Sequence, residues 1–302
     1  MIILLPAIQR ARERSRATVC RSNLRQLGVA AHQFESVHHT FPGPGYVFRQ
    51  LLPYLEQEAL ARRFDRLDDP SPRPFGAVPV LICPSDPFAS AAENHTSYRM
   101  NMGTDYAWDR YDGLLCAPKR VDGKGFLRAA VTVQMVRDGL SNTALFSERL
   151  VQPPVAGTSP GPSFDRYAQR HEMRFLWWPR RTYPANARNR LGADCQLRSE
   201  RITAAIPRSD RDRAFNASGA YYMHISGPNT FGCFHLGAAD RGGLIAGGND
   251  PGNASTPATS QHSTGVHVTF GDGAVRFVAN QVDLNVWQAL GTRAGGEAVS
   301  LF

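Results

Sequence analysis

His262-Ser-Thr-Gly-Val-His-Val-Thr-Phe-Gly-Asp-Gly273, followed by Ala274-Val-Arg-Phe-Val278, is the stretch on which the reading of this chain turns. Asp272-Gly273 sits between two runs of alternating residues. That pattern reads as a β-hairpin closed by a two-residue type I′ turn, whose central positions both need positive φ. Turning there pairs Phe270 with Val275, Val268 with Phe277 and Val266 with Ala279, all apolar. Thr269 with Arg276 and His267 with Val278 fall on the opposite, more polar face. The expectation is one buried face carrying Val266, Val268, Phe270, Val275 and Phe277.

Working outward, residues from about 3 to 39 read as one helix. Leu24, Leu27, Ala31 and Phe34 recur at steps of three and four and form a single apolar stripe. Upstream of Cys20, charged and small residues dominate, so Arg10, Arg12, Arg14 and Arg16 are expected to project beyond a globular head. Pro6 kinks such a helix without ending it, and Phe41-Pro-Gly-Pro-Gly45 stops it. A second helix is predicted over Phe48 to Phe64, with Arg49, Gln50, Glu56 and Glu58 exposed, then short strands at Ala77 to Ile82, Ala129 to Val133 and Thr143 to Glu148. Residues about 152–260 carry mostly loop chemistry, in Pro153-Pro154, Gly157 to Pro162, Pro179, Pro184, Pro207 and Gly247 to Thr256. Between them Arg174 to Trp178 and Ala220 to Ile225 read as strands, and no internal repeat is visible.

Composition sets wider bounds. The 302 residues can bury a sizeable core in one large or two ordinary domains, and 27 Gly with 21 Pro argue against a compact helical bundle. The net charge of +8 comes mainly from arginine, in Arg10 to Arg25, Arg180-Arg181 and Arg208 to Arg213. Without zinc-finger spacing or an RNP-like aromatic motif, that charge does not point to nucleic acid. A solvated face, or an arginine cluster just outside an anionic membrane, is the better reading.

Several motifs recur in a fixed order: Cys20-Arg-Ser-Asn-Leu-Arg-Gln-Leu-Gly-Val-Ala-Ala-His32, His39-Thr-Phe-Pro42, Leu51-Leu-Pro-Tyr-Leu-Glu-Gln57, Cys83-Pro-Ser-Asp-Pro87, Ser97-Tyr98 with Asn101, Asp138-Gly-Leu-Ser-Asn-Thr143 ending at Glu148, Gly227-Pro-Asn-Thr230 before Cys233, and the final His262 with Asp272-Gly273. Together they resemble a bacterial family of prepilin-like proteins with a C-terminal H-x9-DG motif, the DUF1559 family, related to type II secretion pseudopilins. The resemblance implies an α+β fold like that of type IV pilins, with a long N-terminal helix packed through its C-terminal half on an antiparallel sheet. Residues 1–40 would be the helix, 41–151 the first part of the head, 152–260 a variable loop-rich insertion, and 261–302 the hairpin with the family motif. It also implies a non-catalytic structural subunit of the envelope or cell surface, whose partners are other pilin-like subunits or envelope proteins. Family members open with a prepilin leader and an apolar half-helix. Here Met1-Ile-Ile-Leu-Leu-Pro-Ala-Ile8 is too short to span a bilayer, which reads as a start placed too late, with the inner-membrane anchor cut away. An extracytoplasmic solute- or glycan-binding module is the alternative, in which Trp177, Trp178, Tyr221, Tyr222 and Trp108 would stack on a ligand; core packing is the plainer role for them. An enzyme ranks third, and would need a pocket converging on Glu148, His171 or His235.

Candidate chemistry is sparse. His262 and Asp272 invite a metal reading, but nine intervening residues of extended chain place them up to about 30 Å apart. The reading preferred is Asp272 as a turn residue and His262 as a cap or hydrogen-bond partner where the strand starts. The resemblance leaves room for a calcium ion, which some related major pseudopilins carry in a C-terminal loop, with Asp250 and Asp272 as oxygen ligands. Neighbouring His38-His39 and His171-Glu172 diverge in direction and make no two-ligand face. No Gly-x-Ser-x-Gly, P-loop, dinucleotide fingerprint or His-Glu-x-x-His occurs. Glu148, after the apolar Thr143-Ala-Leu-Phe146, reads as a paired structural carboxylate rather than a general base. Of the five cysteines, Cys20 and Cys83 both lie in motifs shared with the family, and the helix is expected to cross the early sheet. That favours a Cys20–Cys83 disulfide over Cys195 with Cys233, without deciding the pairing.

Overall fold

The computed structural model describes residues 4–43, 46–65, 78–90, 94–105, 111–121, 125–151, 173–177, 188–198, 200–201, 221–236 and 254–297. Helix α1 runs Leu4–His38, and its two halves differ as the apolar stripe requires. Leu24, Leu27, Ala31 and Phe34 are buried, while Arg10, Arg12, Arg14 and Arg16 are exposed. Gly28 lets the helix lie directly on the sheet, since a Cβ there would stand 2.9 Å from the Thr269 side chain. The Thr269 hydroxyl donates to the Leu24 carbonyl at 3.2 Å.

The predicted second helix is broken in two. Helix α2 spans Val47–Leu51, a 3-10 turn covers Leu52–Leu55, and α3 spans Glu58–Asp65. Pro53 sits in the first turn of the 3-10 segment and Glu56 closes it at φ 59°, so the helical ladder cannot continue through. Glu56 and Glu58 are exposed, Arg49 and Gln50 half-buried. The strand expected at Ala77 to Ile82 is instead a 3-10 turn at Pro79–Leu81 that begins on a proline. The strand expected at Ala129 to Val133 ends as it begins, and Val133–Met135 is another 3-10 turn.

The strands are β1 Tyr98–Asn101, β2 Ala117–Val121, β3 Gly125–Ala129, β4 Ala144–Glu148, β5 Met173–Trp177, β6 Glu200–Arg201, β7 Tyr221–Tyr222, β8 Gly232–Leu236, β9 Ala254–Ser255, β10 Gly265–Phe270 and β11 Val275–Ala279; α4 spans Arg188–Arg198 and α5 Leu284–Ala289. The principal sheet has the order β11-β10-β4-β1-β7. It is mixed rather than wholly antiparallel, because β7 joins β1 in parallel. A β2-β3 hairpin and a four-stranded sheet, β6-β5-β8-β9, complete the strands. One face of the principal sheet carries α1. The other buries Val266, Val268, Phe270 and Val278 with Tyr222, Trp287 and Leu290. The architecture is α+β, with covers on both faces of β10, which is why all six of its residues are buried.

The terminal hairpin forms, one step out of the expected register. Its loop holds three residues, Gly271-Asp272-Gly273, between Phe270 and Ala274, whose N–H and carbonyl pair at 2.9 Å. Only Gly273 takes positive φ, at 81°, the geometry of a type I turn closed by a left-handed glycine. The added loop residue moves every partner: Val266 faces Val278, Val268 faces Arg276 and His267 faces Phe277. Phe277 therefore lies on the face opposite Val268 and is 42% exposed. Asp272 is not left-handed, so an unfavourable αL conformation is no argument against other residues there. Phe270→Ala should accordingly cost about 3–5 kcal/mol and Phe277→Ala under about 1 kcal/mol, read from denaturant unfolding; equal losses would restore the two-residue turn.

Candidate functional site

Strand β4 drives an acid into the core. Ala144, Leu145 and Phe146 are fully buried, and the strand continues to Glu148 with 1% of its surface accessible. Buried charge needs partners, and neighbouring β10 supplies them. The His267 backbone N–H donates to Glu148 Oε2 at 2.8 Å, and the His267 ring nitrogen Nδ1 lies 3.3 Å from Oε1. From the turn before β10, His262 Nε2 reaches Oε1 at 3.0 Å. The other ring nitrogen of His262, Nδ1, meets Glu13 Oε1 of α1, also at 3.0 Å. Glu13 is further held by the Ser85 hydroxyl at 3.0 Å and Arg16 Nε at 3.1 Å.

Carboxylates on both ring nitrogens require both to carry protons, so His262 is an imidazolium. Burial disfavours the charge, but Glu148 and Glu13 overcome it and raise the His262 pKa to about 10. Burial likewise opposes ionisation of Glu148, and the charge and hydrogen bonds of His262, then His267, hold it down at about 2. Glu13 is lowered too; burial works against this, and the His262 and Ser85 hydrogen bonds prevail.

The turn that aims His262 is fixed by its neighbours. Ser260 Oγ accepts the His262 backbone N–H at 3.2 Å and donates to the Gly265 carbonyl at 2.7 Å, while Asn229 Oδ1 accepts the Ser260 N–H at 2.7 Å. Ser260 is thus the cap where β10 starts, the role expected of His262, whose own side chain goes to the core. Beside the cluster, Cys20 of α1 and Cys83 form a disulfide. Cys195 and Cys233 form a second, and Cys116 is buried outside both. The donor atoms of Cys20, Cys83, Glu148 and His262 all lie within 4.8 Å of one another.

The two ends of the H-x9-DG interval work in different places. His262 closes the core cluster, whereas Asp272 is exposed at the hairpin tip and accepts the Ala274 N–H at 2.9 Å. The nine-residue spacing is the run of β10 between them. At the tip, Asp272 and Gly273 border a groove with Arg25, His32 and Gln33 of α1. Of the aromatics considered for ligand stacking, Tyr221 and Tyr222 are buried in the core, so their rings offer no free face. Trp177 ends β5, with its side chain outside the described residues; Trp178, Trp108, His171 and the calcium candidate Asp250 lie outside them altogether. His235 lies in β8, its side chain likewise not described. Glu13 and His267 escaped sequence reasoning. Glu13 was legible only as the one acid among Arg10, Arg12, Arg14 and Arg16, and His267 only as a polar position in an alternating strand.

Residues 9–285 match the family model SBP_bac_10, described as a protein of unknown function (DUF1559). The chain belongs to the DUF1559 family. No curated protein and no solved structure matches it. In this DUF1559 protein the motif histidine is a charge centre joining α1, β4 and the start of β10. Glu148→Gln or His262→Gln should each cost about 3–5 kcal/mol, because the partner charge stays buried and loses its main counter-charge. A double variant should lose clearly less than the sum; additive losses in a double-mutant cycle would show that the two do not interact.

Another buried histidine, His224, behaves oppositely to His262. His224 stacks on Trp287 with ring centroids 3.9 Å apart. Its Nδ1 donates to the Trp287 carbonyl at 2.7 Å, and its Nε2 accepts from the Tyr222 hydroxyl at 3.0 Å. Burial pulls its pKa down to about 3, only partly offset by the hydrogen bond to Trp287, so it is neutral. The unfolded chain, with a histidine near 6.5, binds more protons between the two values. Its contribution is therefore full above 6.5 and lost as pH falls toward 3, by at most about 1.4 kcal/mol per pH unit. Urea unfolding across this range should show a flatter pH dependence for His224→Gln than for the native chain; parallel curves would contradict the assignment.

Proposed function

We propose that this protein is a non-catalytic, pseudopilin-like structural subunit of a bacterial envelope or cell surface, related to type II secretion and pilus systems. The observation that carries the reading is the division of α1. From Cys20 onward it is welded to the sheet, while its first turns expose Leu5, Ile8 and the arginines at 10, 12, 14 and 16. Glu13 ties that stretch to the head, but its exposed Leu5 and Ile8 gain nothing there and are suited to meeting other copies or related subunits. Among the described residues no helix is long and apolar enough to cross a membrane. Two disulfides fit an oxidising compartment outside the cytoplasm. The non-catalytic reading is supported by the cluster itself, since both nitrogens of His262 are engaged and Glu148 is sealed from solvent.

The second reading is an extracytoplasmic solute- or glycan-binding module. It is favoured by the family's SBP_bac_10 label and by the groove between Arg25, His32, Gln33 and Asp272.

The test is made in cells producing the protein from its native gene with a C-terminal tag. Fractionation should place it in the envelope, and Leu5→Cys or Ile8→Cys should cross-link it to another copy or to another envelope subunit. A cytosolic protein without such cross-links would contradict the proposal. Envelope protein that stays monomeric and is stabilised by a glycan in melts, with the effect lost in Arg25→Ala, would favour the binding module.

A further inference from the structure

The core cluster has the donor set of a metal site with its second layer already built. Two sulfurs, one imidazole nitrogen and one carboxylate oxygen, from Cys20, Cys83, His262 and Glu148, lie within 4.8 Å of one another and are all buried. Soft sulfur with imidazole and carboxylate suits zinc and its near neighbours rather than calcium. We propose that these four residues form a closed four-ligand site for a zinc-like divalent ion, made available when the Cys20–Cys83 disulfide is reduced.

The geometry asks for little movement. Donors held about 2.0–2.3 Å from a tetrahedral ion stand about 3.3–3.8 Å from one another. Glu148 Oε1 and His262 Nε2 are already 3.0 Å apart. The two sulfurs must part by about 1.7 Å from their bonded distance, and the gaps from sulfur to the His262 nitrogen and the Glu148 oxygen, all within 4.8 Å, must settle into the same range.

The surroundings match what metal-bound residues need. A ligating histidine usually gives its other N–H to a carboxylate, and His262 Nδ1 does so to Glu13. A ligating carboxylate is itself hydrogen-bonded, and Glu148 Oε2 accepts the His267 backbone N–H. Arg16 sits against Glu13 and offsets its charge.

The chemistry balances through a dithiol reductant. It gives two electrons and two protons to the bridge, the S–S bond breaks, two thiols form, and the reductant closes its own disulfide. Metal binding then releases both thiol protons and the Nε2 proton of His262, and the proton on Nδ1 stays there, donated in the hydrogen bond to Glu13.

The probe is cobalt(II), added to the full chain before and after anaerobic reduction with dithiothreitol and its removal. The oxidised chain should give no tetrahedral cobalt spectrum. The reduced chain should bind one ion with sulfur-to-cobalt charge-transfer absorption, retained when Cys116, Cys195 and Cys233 are serine and lost in Cys20→Ser. Glu13→Gln should weaken binding about 10–100-fold while keeping that absorption. Because Cys20→Ser or the triple serine chain can fail to fold, alkylation of the reduced native chain decides: zinc should protect Cys20 and Cys83, located by peptide mass. No tetrahedral spectrum on reduction, or equal alkylation of both cysteines with and without zinc, overturns the proposal.

Discussion

A single buried imidazolium ties the helix to the sheet. His262 faces Glu148 from β4 on one side and Glu13 from α1 on the other, both at 3.0 Å. Its charge could not be buried alone, and neither could that of Glu148. Because each partner comes from a different segment, the cluster forms only when α1, β4 and the turn before β10 have all reached their places. The Cys20–Cys83 disulfide fastens the same corner covalently. Apolar burial along Leu24, Leu27 and Ala31 supplies area without direction, whereas the ion pairs and the bridge fix where along the sheet the helix comes to rest.

Local features were legible because local physics produces them. The stripe on α1, its stop at Phe41-Pro42, the apolar strand ending at Glu148 and the existence of the final hairpin all follow from periodicity and turn residues. The hairpin's register was not legible. Gly271-Asp272-Gly273 can close either a two-residue or a three-residue loop, and one residue decides which face Phe277 occupies. Pro53 and Pro79 each converted an expected element into a 3-10 turn, since a proline removes the N–H that a helix or strand would use. The parallel place of β7 beside β1 rests on contacts between residues more than a hundred positions apart, which no window of sequence can report.

The candidate site was half visible. Cys20 with Cys83, and Glu148 as a paired carboxylate, could be named from sequence and resemblance. Their meeting with His262 could not, because motif thinking linked His262 to Asp272, its neighbour in the pattern. In space the two are separated by the length of β10, His262 in the core and Asp272 at the exposed tip. Glu13 was hidden by its setting, the arginine-rich stretch of the helix before Cys20, which reads as solvated.

The central claim is that His262 is doubly protonated and locked between two carboxylates. Imidazole nitrogen shifts of selectively labelled His262, followed by NMR through a pH titration of the oxidised protein, test it most directly. The account predicts two protonated ring nitrogens at neutral pH and a titration only near pH 10. A neutral ring at pH 8, or a midpoint near the ordinary histidine value of about 6.5, would contradict it.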